Sequence, residues 1–224
     1  MKLPPGNSRV AFVGPTRCGK TYLARSWLRN YPHVIIIDPK RQWDWKSKEE
    51  RYKLKASDWG TFDKQLKLTA DKKSKEYGYP VVWRPPVDEL LPEDLDRVYE
   101  LAYHRGHTLV YMDELYFLTN GSSLGTHTPW FRACVTAGAS RGVGCWSSFQ
   151  RPAWVPLIAL TETEVRAIFY LRNASDRKRI DDSFTESSHP VPWEALRPTP
   201  ESRYKFVLST DAWLSAPTRI KQEG

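Results

Sequence analysis

Gly14-Pro15-Thr16-Arg17-Cys18-Gly19-Lys20-Thr21 is the stretch whose residue types and spacing point most directly to chemistry. It fits G-x-x-x-x-G-K-[ST] and lies between a β-type run, Val10-Ala11-Phe12-Val13, and a helical stretch from Lys20 to Asn30. That strand-before, helix-after setting is the context the pattern requires. The two glycines allow a tight turn, so successive backbone N–H groups face one concavity at a helix N-terminus, where the dipole also favours anions. Such a loop holds phosphates. Lys20 would reach β- and γ-phosphates as a point charge, and the Thr21 hydroxyl would ligate Mg²⁺. Cys18 reads as a small loop residue rather than a reactive thiol.

Cleaving a bound nucleotide would also need carboxylates for the metal and the attacking water. Thr108-Leu109-Val110-Tyr111-Met112-Asp113-Glu114 supplies them, as a buried strand ending in two adjacent acids. Asp113 would hold Mg²⁺, and Glu114 would orient and polarise water. Read alone, the same pair could merely cap the next helix.

The elements that must position these groups alternate between short β-type runs and helical stretches, the pattern of a parallel sheet covered by helices. His33–Ile37, Val81–Trp83, Thr108–Met112, Val143–Phe149, Glu164–Leu171 and Tyr204–Leu208 read as further strands, the last at an edge. In the strand from Glu164, the residues Val165, Ala167, Phe169 and Leu171 should share one side. Asp88–Glu100 and Trp130–Ser140 read as helices, the first with Leu91, Leu95 and Val98 on its inner face.

With 224 residues, 40% hydrophobic and 27% charged, the chain is expected to be a single α/β domain, residues 1–224. Lys plus Arg exceeds Asp plus Glu by 34 to 26, giving +8. That excess suits a polyanionic partner and equally a merely soluble surface. More than half of it falls between Lys40 and Lys75. Residues 40–78 are therefore expected to be a basic, aromatic-containing insertion or peripheral element, and residues 209–224 a loose tail. Three cysteines, Cys18, Cys134 and Cys145, are too few for a disulfide framework and suit a reducing compartment. The first residues lack a signal-peptide pattern and Val34–Ile37 is too short to span a bilayer, so neither secretion nor membrane insertion is expected.

With both motifs, and with a strand running into Ser147-Ser148-Phe149-Gln150-Arg151-Pro152, the chain resembles the FtsK–HerA superfamily of P-loop ATPases. More narrowly, it is similar to genome-packaging ATPases of membrane-containing and related double-stranded DNA viruses. The likeness spans Arg9 to Asp182. It implies a RecA/FtsK–HerA-like fold with a mainly parallel central sheet, ATP and Mg²⁺ as cofactors, and Gln150 as a sensor of γ-phosphate or attacking water. A Gln amide suits that role, since it donates and accepts without adding charge. The family's arginine finger, acting on a neighbouring subunit's nucleotide, falls on Arg141 in Ala139-Ser140-Arg141-Gly142-Val143-Gly144, with Arg172 as the competitor.

The resemblance further implies a homo-oligomeric ring, hexamer or pentamer, acting on double-stranded DNA in the virion or host cytoplasm, with capsid-vertex or membrane-associated packaging proteins as further partners. Asn120–His127 is either a pore loop or a plain surface loop, and the basic segment either a DNA or a capsid contact. A filamentous-phage-type assembly ATPase, a cellular segregation or conjugation motor, and a non-hydrolysing nucleotide-binding scaffold are the alternatives.

Overall fold

In the computed structural model the described residues are 3–43, 54–56, 60, 81–85, 91–119, 128–183, 190–200, 204–210 and 214–220. Most of the basic segment after Trp43, the loop Asn120–His127 and residues 221–224 lie outside them.

Strands β1 (Arg9–Val13), β2 (Val34–Ile37), β3 (Leu54–Ala56), β4 (Val81–Trp83), β5 (Leu109–Asp113), β6 (Gly144–Phe149), β7 (Val165–Phe169), β8 (Lys205–Ser209) and β9 (Thr218–Arg219) form one sheet. Its order is β3-β4-β2-β5-β6-β1-β7-β8-β9. Neighbours from β3 to β7 are parallel, while β8 and β9 add antiparallel at one edge. Helices among the described residues include α1 (Lys20–Leu28), α2 (Pro92–Arg105), α3 (Tyr116–Thr119), α4 (Pro129–Ala137), α5 (Leu157–Thr161), α6 (Ala174–Asp181) and α7 (Trp193–Leu196). The expected α/β architecture with a mainly parallel sheet is therefore present.

The apolar runs are unbroken because both sheet faces are covered. The period of two divides each run between two cores. Ala11, Val13, Ile35, Ile37, Val110 and Met112 pack with α2 and α4 on one face. Val10, Phe12, Val34, Ile36 and Tyr111 pack with Leu23, Trp27 and Leu28 of α1 on the other. Between α2 and α4, Tyr99 and Phe131 meet edge to face at 5.0 Å.

Two expectations about side-chain placement are corrected. Leu91 is 58% exposed, because it stands before the first turn of α2 in an extended conformation and is not on the helix's inner face. Leu171 packs in the α2/α4 core, opposite Val165, Ala167 and Phe169, because β7 ends at Phe169 and the chain leaves the pleat there. Part of the segment expected to be a loose tail lies on the sheet. Thr218 and Arg219 pair with Phe206 and Lys205, and the Ile220 amide donates to the Tyr204 carbonyl at 3.1 Å.

The start of α4 has no cap of its own. Asp96 of α2 accepts from the amides of Trp130 and Phe131 at 3.0 and 2.6 Å. Burial, helped by Glu100 and Glu93, holds its carboxyl above the usual carboxylate value, and those two bonds offset only part of the rise. Asp96→Ala will orphan both donors, at a cost of about 1–3 kcal/mol. Thermal unfolding should then move down by roughly 3–9 °C. An unchanged melting temperature would show that water replaces the cap.

Candidate functional site

The sheet order sets the site. β6 borders β1 on one side and β5 follows, so parallel pairing delivers the C-terminal ends of all three strands to one edge. The loop from Gly14 to Gly19 leaves β1 there and turns into α1. Its two glycines are sterically required. A Cβ on Gly14 would stand 2.7 Å from both Cys18 Sγ and Phe169 Cβ. Gly19 has φ +105°, and a Cβ on it would stand 2.7 Å from Ile220 Cδ1.

Lys20 is 7% exposed, and its Nζ donates to the carbonyls of Gly14 at 2.6 Å and Pro15 at 2.8 Å. The ammonium is thus bound to the loop it serves. Burial lowers its pKa, while Cys18, Glu114 and Asp113 pull it upward. Burial raises the Cys18 thiol pKa, with Lys20 opposing. The unreactive reading of Cys18 is consistent with that environment.

Asp113 is the last residue of β5 and 1% exposed. Its Oδ1 accepts from Ser148 Oγ at 2.9 Å and Tyr111 Oη at 3.1 Å. Its Oδ2 is buried without a hydrogen-bond partner. A buried carboxylate oxygen left without a donor is costly unless a cation takes it. Asp113 lines the same cavity as Lys20 and Thr21, so the residues present fit a magnesium ion held by Asp113 and the Thr21 hydroxyl.

Glu114 is the first residue past β5 and has φ 94°, a conformation costly for a side-chain-bearing residue. The next amide, Leu115 N–H, donates to Ser148 O at 2.8 Å and pins this turn to β6. Glu114 Oε2 accepts from Lys40 Nζ at 2.6 Å and Gln150 Nε2 at 2.8 Å. Gln150 Oε1 in turn accepts from Thr16 Oγ1 at 2.5 Å. A continuous polar chain therefore links the phosphate loop, Gln150, Glu114 and Lys40.

Sequence reasoning missed Lys40 and Ser148. Lys40 belongs to the site as well as to the start of the basic segment. Buried Asp38, at the end of β2, accepts from the amides of Gln42 and Trp43 at 3.0 and 2.8 Å and pairs with Arg84 at 3.3 Å. That turn carries Lys40 toward Glu114. The available signal was a lysine directly after the Asp38-Pro39 that ends a buried strand, overshadowed by the charge run that follows.

The two finger candidates lie apart. Arg141 precedes β6, at the opposite end of the sheet from Gln150, with its Nε bonded to Tyr103 O at 2.8 Å and its guanidinium 4.7 Å from the Tyr103 ring centre. Arg172 follows β7 at the same end as the phosphate loop and is exposed. Neither is joined to the polar chain. A cavity of about 640 Å³ connects Thr16, Lys20, Lys40, Asp113 and Gln150 to Tyr204 and Ile220 across the loop. Among the described residues no helix is long and apolar enough to cross a membrane.

No protein-family model matches the sequence, and no curated protein is significantly similar to it. Solved structures do match. The genome packaging NTPase B204 of Sulfolobus turreted icosahedral virus 2, in complex with sulfate, has 17% identity and a TM-score of 0.69, over 97% of this chain and 98% of that one. The fold is that of the P-loop NTPases. The B204 complex with AMPPCP gives 18% identity and a TM-score of 0.65, over 97% and 100%. VirB4 of Thermoanaerobacter pseudethanolicus gives 10% identity and 0.60, over 99% and 92%. These neighbours share the fold that the motifs led one to expect.

Proposed function

We propose that this P-loop NTPase is the ATP-hydrolysing subunit of a homo-oligomeric ring, pentamer or hexamer, that drives double-stranded viral DNA into a preformed capsid. The observation that carries the reading is the polar chain from Thr16 through Gln150 and Glu114 to Lys40, built beside a phosphate loop and a buried carboxylate oxygen suited to a cation. The fold shared with a genome packaging NTPase supports it.

In this reading the amides of the Gly14–Gly19 loop and the Lys20 ammonium bind the β- and γ-phosphates. Asp113 and Thr21 would hold Mg²⁺, which would neutralise charge on the phosphate oxygens. Glu114 accepts the proton of an attacking water as its oxygen bonds to the γ-phosphorus and the bond to the bridging oxygen breaks, releasing ADP and phosphate. Gln150 orients that water through its amide. Lys40, ion-paired to Glu114 and lining the cavity, would shift toward an incoming γ-phosphate and free the carboxylate to act as base. Arg141 or Arg172 of a neighbouring subunit would complete the charge stabilisation, tying hydrolysis to the ring. Protein of this kind acts in the virion or host cytoplasm. DNA contacts fall to the basic segment 40–78 or to Asn120–His127, and the same basic segment could face a capsid vertex or a membrane-associated packaging protein.

ATP turnover measured with and without duplex DNA at several salt concentrations tests this. Duplex of any sequence should stimulate turnover at low salt, and the stimulation should fade steeply as salt rises, since phosphate contacts release counterions. Turnover indifferent to DNA at every salt concentration would overturn the motor reading. Absence of turnover would favour the non-hydrolysing scaffold.

A further inference from the structure

The groups assigned to phosphate, metal and water lie on the loop itself and on its β6–β5 side. The cavity extends the other way as well. β7 borders β1 on the side away from β6, and β8 and β9 continue outward from it. The antiparallel registers Phe169↔Phe206 and Lys205↔Arg219 bring the start of β8 and the end of β9 back to the C-terminal end of β7. Tyr204 and Ile220 therefore stand together beside the phosphate loop, on the flank opposite Asp113 and Gln150. The loop is tightly covered there: a Cβ on Gly19 would lie 2.7 Å from Ile220 Cδ1 and 3.4 Å from Tyr204 Cδ1. Both residues are half-buried and line the cavity.

A nucleoside triphosphate whose phosphates fill the loop has its base at the far end of the molecule from its γ-phosphate. With the γ-phosphate directed to Glu114 and Gln150, the base is directed to Tyr204 and Ile220. These offer an aromatic ring and a branched aliphatic chain, surfaces suited to the π-face of a base. For reading its edge they offer little beyond the Tyr204 hydroxyl, since the Ile220 amide donates to the Tyr204 carbonyl at 3.1 Å, and a single hydroxyl that both donates and accepts fits the edge of either purine.

We propose that Tyr204 and Ile220 form the nucleobase contact of this site and hold the base by apolar and stacking contact, so that adenine and guanine nucleotides bind nearly alike. This rests on the nucleotide-site reading above. It also gives the β9 segment a task, since the chain must return to the sheet edge for Ile220 to reach the loop.

The test measures binding of ATP, GTP and inorganic tripolyphosphate to the full chain and to its Tyr204→Ala, Ile220→Ala and Tyr204→Phe variants. Tripolyphosphate reports the phosphate loop alone. ATP and GTP should bind the unaltered chain within about threefold of each other. Each alanine variant should weaken both by about tenfold, the range that stacking on a base contributes, and change tripolyphosphate by less than about twofold. Tyr204→Phe, which keeps the ring, should retain affinity for all. An equal loss for tripolyphosphate would mean that the edge only braces the loop, and would overturn the proposal. So would alanine variants that keep full nucleotide affinity, or a preference beyond about thirtyfold for one purine, which requires edge reading. Binding of tripolyphosphate and ATP to the unaltered chain upholds the nucleotide site whatever the variants do, whereas binding of neither overturns both readings.

Discussion

Glu114→Gln will leave ATP binding nearly unchanged and lower turnover about 10²–10⁴-fold, the range that a positioned general base contributes. The substitution keeps the shape of the side chain. The backbone that aims it is held independently by the Leu115 amide on Ser148 O. What disappears is the negative charge that Lys40 meets at 2.6 Å and the lone pair that would take the water's proton. Lys40→Met separates the two roles of the pair. If Lys40 only restrained Glu114, removing it would release the base and turnover would be kept or raised. If it moves onto the γ-phosphate, turnover will fall with Glu114 intact, and single-turnover hydrolysis at saturating ATP reads the difference. Glu114→Gln turnover within about twofold of the unaltered protein would remove Glu114 from the chemistry.

Lys20→Ala will act one step earlier, on binding. Charge-assisted hydrogen bonds contribute about 1.5–3 kcal/mol each, so loss of the one ammonium at the loop should weaken ATP roughly 10- to 100-fold, with hydrolysis falling at least in proportion. Lys20→Arg should not restore affinity, because a planar guanidinium cannot occupy the 7%-exposed point-charge position inside the loop. Burial already lowers the Lys20 pKa below its ordinary 10.5, and a bound polyphosphate pulls it back up. The bound state therefore holds more proton than the free state between the lowered and the restored values. ATP binding should take up protons on the alkaline side, and affinity should fall as pH rises through that window. Calorimetry in two buffers of different ionisation enthalpy detects the uptake, which must vanish in Lys20→Ala. Uptake that persists in that variant would assign the proton elsewhere. Folding stability has its own sign: the unfolded chain keeps the Lys20 proton longer, so this group's contribution rises with pH across the same range.

The parts legible in the sequence are those whose physics is local. Gly14 to Thr21 is a self-contained device, since steric freedom at two glycines, a lysine and a hydroxyl are all specified within one turn of chain. The strand ending in Asp113-Glu114 and the strand running into Gln150 announce themselves by unbroken apolar runs that stop at polar side chains. The β/α alternation predicts a parallel sheet, and the structure has one. Misplaced side chains arose where local period met an element boundary. Leu91 fits the helical repeat but precedes the helix, and Leu171 fits the strand repeat but follows the strand.

Which strand lies next to which was decided only by tertiary structure, and with it the site's composition. Lys40 reaches Glu114, Thr16 reaches Gln150, and Ile220 reaches Gly19 across long stretches of chain. Residues far apart in sequence meet because parallel crossovers return β1, β2, β5, β6 and β7 in the same direction, so their C-terminal ends converge on one edge, and the antiparallel β8 and β9 bring Ile220 back to that edge. The same geometry carries Arg141 to the opposite end of the sheet from the loop, where it could act only on a neighbour's nucleotide. By itself, then, the sequence determined a loop of the form that holds phosphates and two acids at a strand end. The order of the sheet decided which cation holds the second acid and which side chains cover the other flank of the loop, because adjacency between strands is set by packing of two covered faces and is written in no single segment.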